Sequence, residues 1–227
     1  MSKFLVIEGL IGVGKTTLCR ALRDELRAHL ILEPAEDNPF LKEFYADSDR
    51  FAFPAQMFYL ATRYAQQQNL RQGELFSDLI VSDYLFEKDR LFAEKTLEGD
   101  ELALYDRFAG LLGTNLVRPD LVLFLDAPTD VIMSRIQCRG ISAEAVIQRS
   151  YLDDLRDRYF NLWKNYKQAP VHYLETTDID YVNDPDARAA VLGMIQDWLA
   201  GTGAPGVPAS TLFERETQPT LFSTEGV

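Results

Sequence analysis

Hydrophobic and polar positions along this chain alternate between two kinds of stretch. Short, nearly continuous apolar runs occupy 3–8, 29–34, 79–83, 121–126 and 171–174, and each reads as a buried strand. Between them, apolar residues recur at helical spacing. Leu18, Leu22 and Leu26 line one face of a helix over 17–27. Residues 37–47 form a short helix or loop, with Asp37 or Asn38 able to cap it. The period resumes over 51–72 through Phe51, Met57, Phe58, Leu60, Ala61 and Tyr64. Helices are also predicted over 85–97 and 100–117, the second stopped at Arg118-Pro119. Another covers 128–138, with Pro128 in its first turn and Asp130 favouring the N-terminus. Ser142 is placed to cap a long helix reaching Tyr166, along which Ile147, Tyr151, Leu155, Tyr159, Leu162, Trp163 and Tyr166 keep helical spacing. A last helix spans 185–200. From Gly201 onward Gly, Pro, Ser and Thr dominate and no period survives, so residues 1–200 are expected to form the domain and 201–227 a disordered or weakly docked tail.

Strands alternating with helices predict an α/β fold built on a doubly wound, five-stranded parallel sheet flanked by helices. In such sheets ligands sit beyond the carboxyl ends of the strands. The loop after the first strand, Glu33 after the second, Asp83 after the third and Asp126 at the end of the fourth are expected to converge on one crevice.

Composition narrows the class. With 227 residues and 47% apolar positions there is enough material for a full core. A formal charge of −12 argues against a nucleic-acid polymer as partner, and any anionic substrate must be met by locally placed cations. Cys19 and Cys138 give neither a disulfide framework nor metal spacing, which fits a reducing cytoplasm. With a strand starting at residue 3 no signal peptide is expected, and no apolar run is long enough to span a membrane.

The candidate chemistry starts at Gly9-Leu10-Ile11-Gly12-Val13-Gly14-Lys15-Thr16, with Thr17 next in the chain. This matches the phosphate-binding template G-x-x-x-x-G-K-[ST] between a strand and a helix. Glycines let backbone N–H groups curl around a phosphate chain, and the helix N-terminus adds its positive end. Lys15 is expected to reach the β- and γ-phosphates and Thr16 to ligate Mg²⁺, so ATP or another nucleoside triphosphate is the expected ligand. The guanine-reading Asn-Lys-x-Asp and an Asp-x-x-Gly switch are both missing, which argues against a GTPase.

Beyond that loop the chain carries four further segments in order: Glu33-Pro34-Ala35-Glu36-Asp37-Asn38-Pro39-Phe40, Gln56-Met57-Phe58-Tyr59-Leu60-Ala61-Thr62-Arg63, Ser82-Asp83-Tyr84 and Arg135-Ile136-Gln137-Cys138-Arg139-Gly140. Together with the loop, over residues 3–175, this ordered set resembles the deoxyribonucleoside kinases. The first segment resembles their Glu-Pro motif, the second their base-binding helix and the last their arginine lid. Ser82-Asp83-Tyr84 stands where they carry an acidic residue followed by Arg and Ser. The resemblance implies Mg²⁺-dependent transfer of a phosphoryl group to a deoxynucleoside 5′-hydroxyl, with Glu33 as general base and Asp83 holding Mg²⁺ with Thr16. It implies that Gln56, Arg63 and Asp89 read the base, and that Phe92 stacks on it. It also implies that Tyr45 and Glu144 grip the sugar 3′-hydroxyl, and that Arg135 and Arg139 close on the transferring phosphoryl group. An Arg63–Asp89 pair goes with adenine, guanine or cytosine rather than thymine, and the family implies a homodimer. Two departures stand out: Tyr84 replaces an arginine whose role could pass to Lys88 or Arg90, and Ile141 stands where the lid often carries another arginine. Two alternative functions remain open at this point, a nucleoside monophosphate kinase and a P-loop ATPase or nucleotide sensor.

Overall fold

The structure is a computed structural model. It describes residues 2–34, 37–73, 77–114, 116–141 and 144–211, without the side chains of Tyr45 and residues 71–73. Five runs of apolar residues form parallel strands: β1 (Lys3–Gly9), β2 (His29–Ile31), β3 (Leu79–Ser82), β4 (Leu121–Asp126) and β5 (Val171–Glu175). A sixth, β6 (Val207–Pro208), pairs antiparallel with β5. The order across the sheet is β2-β3-β1-β4-β5-β6. Every residue of β3 and β4 is buried, and all of β1 beyond Lys3, which is why these strands read as continuous apolar runs.

Eight helices connect them among the described residues: α1 (Lys15–Leu26), α2 (Leu41–Ala46), α3 (Ser48–Gly73), α4 (Lys88–Thr96), α5 (Gly99–Leu112), α6 (Thr129–Arg139), α7 (Arg149–Asn165) and α8 (Pro185–Leu199). The main core lies against the sheet. In it Phe124 of β4 meets Tyr159, Phe160 and Trp163 of α7 at centroid distances of 5.3, 6.0 and 5.5 Å. A second core holds α3, α4 and α5 together through Ala52, Leu60, Phe86, Ala93, Leu97 and Tyr105. That helical layer stands beside the carboxyl ends of β2 and β3, and it is what brings α3 and α4 to the crevice.

Three expectations need correction. The sheet has six strands, not five, because Val207 and Pro208 pair with β5 although this stretch carries no apolar period. Gly206 adopts φ 70°, and a Cβ there would meet the Tyr173 carbonyl oxygen at 2.2 Å, so close backbone approach takes the place of side-chain burial. The second strand ends at Ile31, which leaves Glu33 and Pro34 free to turn into the crevice. The long helix begins at Arg149 after Gln148, while Ser142 lies outside the described residues. Of the expected tail, 212–227 also lie outside the described residues.

Candidate active site

Strand order explains the site. β3 lies between β1 and β2, so the turn after β3 stands between the loops that leave its two neighbours. Asp83 uses that position. Its Oδ2 accepts from the Thr16 hydroxyl at 2.6 Å and its Oδ1 from the Glu33 backbone N–H at 2.8 Å. One carboxylate thus ties the glycine loop to the Glu33 segment.

The glycine loop takes a backbone that side chains resist. Gly14 sits at φ 106°, and a Cβ there would lie 2.3 Å from the Tyr181 hydroxyl, which donates to the Val13 carbonyl at 3.0 Å. Lys15 folds over the loop, its Nζ donating to the carbonyls of Gly9 (2.9 Å) and Leu10 (3.0 Å). Burial, and then the neighbouring charge of Lys88, lowers the Lys15 pKa to about 8 against the pull of Glu8, Asp83 and Glu33.

Glu33 is the central carboxylate, with its side chain 18% exposed. Its Oε1 accepts from Arg63 Nη2, and its Oε2 from Lys88 Nζ at 3.3 Å. Burial pushes its carboxyl upward, but the charges of Arg63 and Lys88, with the Arg63 hydrogen bond and Lys15 behind them, win and hold its pKa at about 2.

Behind Glu33, Arg63 also pairs with Asp89, whose Oδ2 takes the Tyr105 hydroxyl at 2.9 Å. The guanidinium lies over the rings of Tyr59 and Tyr84, 5.3 and 5.4 Å from their centroids. One helical face of α3 carries both Gln56 and Arg63, as their spacing predicts. Gln56 Nε2 donates to the Thr96 hydroxyl at 3.1 Å. Two buried atoms on this face, Gln56 Oε1 and Arg63 Nε, have no protein partner. Buried polar atoms are nearly always satisfied, so this pair fits a polar ligand edge.

Tyr84, standing where an arginine was expected, is 1% exposed and donates its hydroxyl to Gln66 Oε1 at 2.6 Å. Of the two cations that could replace that arginine, Arg90 points away, 61% exposed and paired with Glu94 and Asp106. Lys88 is the one at Glu33. Its ammonium also lies 5.4 Å over the Phe92 ring, so that ring faces a cation here.

The lid residues are placed differently. Arg135 binds backbone, donating to Thr176 O (2.5 Å), Thr176 Oγ1 (3.1 Å) and Val13 O (3.4 Å), and so braces the glycine loop. Arg139 pairs with Glu144 at the end of α6. Among the described contacts, neither Arg139 nor Glu144 touches Glu33, Asp83 or Lys15. The side chain of Tyr45 lies outside the described residues.

Asp126 does not join the crevice. It is fully buried, held by Arg156 Nε at 3.0 and 3.1 Å and by the Tyr173 hydroxyl at 3.1 Å, because its side chain is drawn to α7 and β5. Glu8, not singled out from the sequence, is fully buried in β1. It accepts from Leu85 N (2.6 Å), Gly9 N (3.0 Å) and the Tyr159 hydroxyl (2.8 Å), and so joins the glycine loop, the turn after β3 and α7. A lone carboxylate inside an otherwise apolar strand was the available signal.

Comparison with known proteins identifies the family. The deoxynucleoside kinase family model matches residues 5–200. A deoxyguanosine kinase of Bacillus subtilis (strain 168) is 34% identical over 171 residues, 73% of this chain and 81% of that protein. A deoxyadenosine/deoxycytidine kinase of the same organism is 26% identical over 201 residues, 86% and 92% of the two chains. Among solved structures, a deoxyadenosine kinase from M. mycoides with the products dCMP and a flexible dCDP bound superposes with a TM-score of 0.72 at 23% identity, over 86% of this chain and 99% of that one. The chain belongs to the deoxynucleoside kinase family, and its reaction is phosphoryl transfer to the hydroxyl of a deoxynucleoside.

Proposed function

We propose that the chain transfers the γ-phosphate of ATP or another nucleoside triphosphate to the 5′-hydroxyl of deoxyadenosine, deoxyguanosine or deoxycytidine in preference to thymidine, in a Mg²⁺-dependent reaction. One observation carries this reading: Asp83 holds both the Thr16 hydroxyl and the Glu33 backbone, which sets the glycine loop and a carboxylate on two sides of one small space. Phosphoryl transfer asks mainly for positioning and for neutralising charge. The loop amides and Lys15 suit the triphosphate. Glu33 suits the hydroxyl: its two charge partners keep it ionised, so it accepts a hydrogen bond from the 5′-OH, aims the oxygen at phosphorus and takes the proton as the new bond forms. A carboxylate held this acidic is a weak base, so orienting the oxygen is the larger part of its work.

Thr16 and Asp83 suit Mg²⁺, which takes hard oxygen ligands, keeps several waters and needs only one or two protein groups beside substrate phosphates. When bound, the ion neutralises charge on the phosphate oxygens. Lys15, Lys88 and Arg63 supply the local cations that a chain of charge −12 requires for an anionic substrate. The Arg63–Asp89 pair supports acceptance of amino-bearing or purine bases, since an extra methyl on the base would have to share the space of the guanidinium. Leu104, Phe108 and Leu111, 43%, 41% and 65% exposed on one face of α5, support a homodimer that covers them. Two free cysteines suit a reducing cytoplasm.

Glu33→Gln tests the reading. It is expected to lower kcat by roughly two orders of magnitude while KM for the nucleoside stays within a few-fold. Retention of more than about a tenth of the wild-type kcat would assign Glu33 to structure. If nucleoside monophosphates react and nucleosides do not, the acceptor assignment fails.

A further inference from the structure

α4 places a hydroxyl against the residue proposed to read the base. Thr96 ends α4, and its hydroxyl oxygen donates back to the Phe92 carbonyl at 2.8 Å, one helical turn earlier. A hydroxyl has a single proton, and here it is committed. Toward Gln56 the same oxygen can therefore only accept, and it takes Gln56 Nε2 at 3.1 Å. The chain of donors runs one way, from Gln56 NH₂ to Thr96 OH to Phe92 C=O. It fixes the Gln56 amide with its nitrogen toward α4 and leaves Oε1, on a residue 4% exposed, as the unpartnered acceptor. A flipped amide would set carbonyl oxygen against hydroxyl lone pairs and break the Thr96 back-bond.

We propose that Thr96 is a positioning residue that locks the Gln56 amide in one orientation and so sets the discrimination between amino-bearing and oxo-bearing bases. The inference rests on the reading that Gln56 contacts the base. Adenine and cytosine present an amino donor beside a ring-nitrogen acceptor. Guanine presents an oxo acceptor beside a ring N–H donor, the reverse pattern. An amide donates from one end and accepts at the other, so in one base pose a locked amide matches one pattern and opposes the other. A site built to pair polar groups rejects the wrong pattern strongly, because its buried atoms are left unpaired. An amide free to turn over would serve both.

The experiment compares kcat/KM for deoxyadenosine and deoxyguanosine in wild type, Thr96→Val, Thr96→Ser and Gln56→Ala, with a thermal melt of each. Valine keeps the shape and removes the hydroxyl. The expected result is a wild-type ratio far from one that moves at least tenfold toward one in Thr96→Val. Thr96→Ser, which restores the hydroxyl, should return to the wild-type ratio. A Thr96→Val enzyme that folds and loses both activities by the same factor overturns the proposal, as does a wild-type ratio near one. If Thr96→Val does not fold, Thr96→Ala carries the same expectations. Gln56→Ala separates the two readings. An unchanged ratio in that variant removes Gln56 from base recognition altogether. A changed ratio there, with Thr96→Val unchanged, overturns the lock alone.

Discussion

At the scale of single residues, Tyr84, where the family resemblance implies an arginine, leaves the charge at Glu33 to Arg63 and Lys88. Tyr84 turns its hydroxyl to Gln66, and Gln66 in turn donates to the Leu32 carbonyl at 2.9 Å, so this pair holds the segment entering Glu33. One cation at Glu33 is Lys88, in the first turn of α4 and 5% exposed. A lysine offers a compact point charge on a flexible stem, where a guanidinium offers a planar fork, so the two are not equivalent at a paired carboxylate. If Lys88 serves the reacting groups, Lys88→Met is expected to lower kcat about a hundredfold with nucleoside KM within about threefold, and Lys88→Arg to recover most of the loss. Steady-state kinetics with parallel melting curves measure this. A methionine variant with near-normal kcat would make Lys88 a neutralising partner and nothing more.

At the scale of elements, α3 and α4 are packed as one unit, and the proposed base site lies between them. Gln56 and Arg63 stand on α3, and Lys88, Asp89 and Thr96 on α4, with the second core setting their spacing. Tertiary packing ties the Arg63–Asp89 pair to the central carboxylate, because Arg63 also holds Glu33. Replacing Arg63 alone strands a buried Asp89 with, among the described side chains, only the Tyr105 hydroxyl as hydrogen-bond partner, and breaking a buried pair in this way costs on the order of several kcal/mol. Arg63→Met combined with Asp89→Leu removes both charges. That double variant is expected to shift relative kcat/KM toward thymidine by at least tenfold, since fit of one methyl is typically worth about 1–3 kcal/mol. It should also slow every acceptor, because Glu33 keeps Lys88 alone. A stable double variant with an unaltered order among the four deoxynucleosides would move base recognition away from this pair.

At the scale of the whole molecule, charge and apolar surface are both unevenly spread. The chain carries a net −12, yet it gathers Lys15, Arg63 and Lys88 around Glu33. Its exposed large apolar side chains include the α5 stripe, spaced by four and three residues so that one helical face shows them all. A face of this kind marks an interaction site, and the proposed homodimer would cover it. Phe108→Glu with Leu111→Glu is expected to halve the sedimenting mass of a dimeric wild type and leave the fold's thermal transition cooperative. A wild type that sediments as a monomer, or a double variant that stays dimeric, would place the contact elsewhere or remove it.

The sequence by itself determined the parallel strands, the helices between them and the glycine loop, because buried strands must read as apolar runs and the phosphate-binding turn demands glycine, lysine and threonine at fixed spacing. It also determined that Gln56 and Arg63 share a face, a consequence of helical period alone. It could not show that Asp126 belongs to Arg156 and Asp83 to the crevice, since both are carboxylates at strand ends and only the neighbouring elements tell them apart. It could not choose between Lys88 and Arg90, two residues apart on one helix. Two positions along a helix point to nearly opposite sides, and the packing of α4 on α3 buries one and exposes the other. β6 escaped for a related reason: it is held by backbone hydrogen bonds and a glycine's close approach, and neither leaves an apolar period. Periodicity and turn chemistry are local and are written in the chain. Which charge meets which partner depends on contacts between residues distant in sequence, and only the folded molecule brings those together.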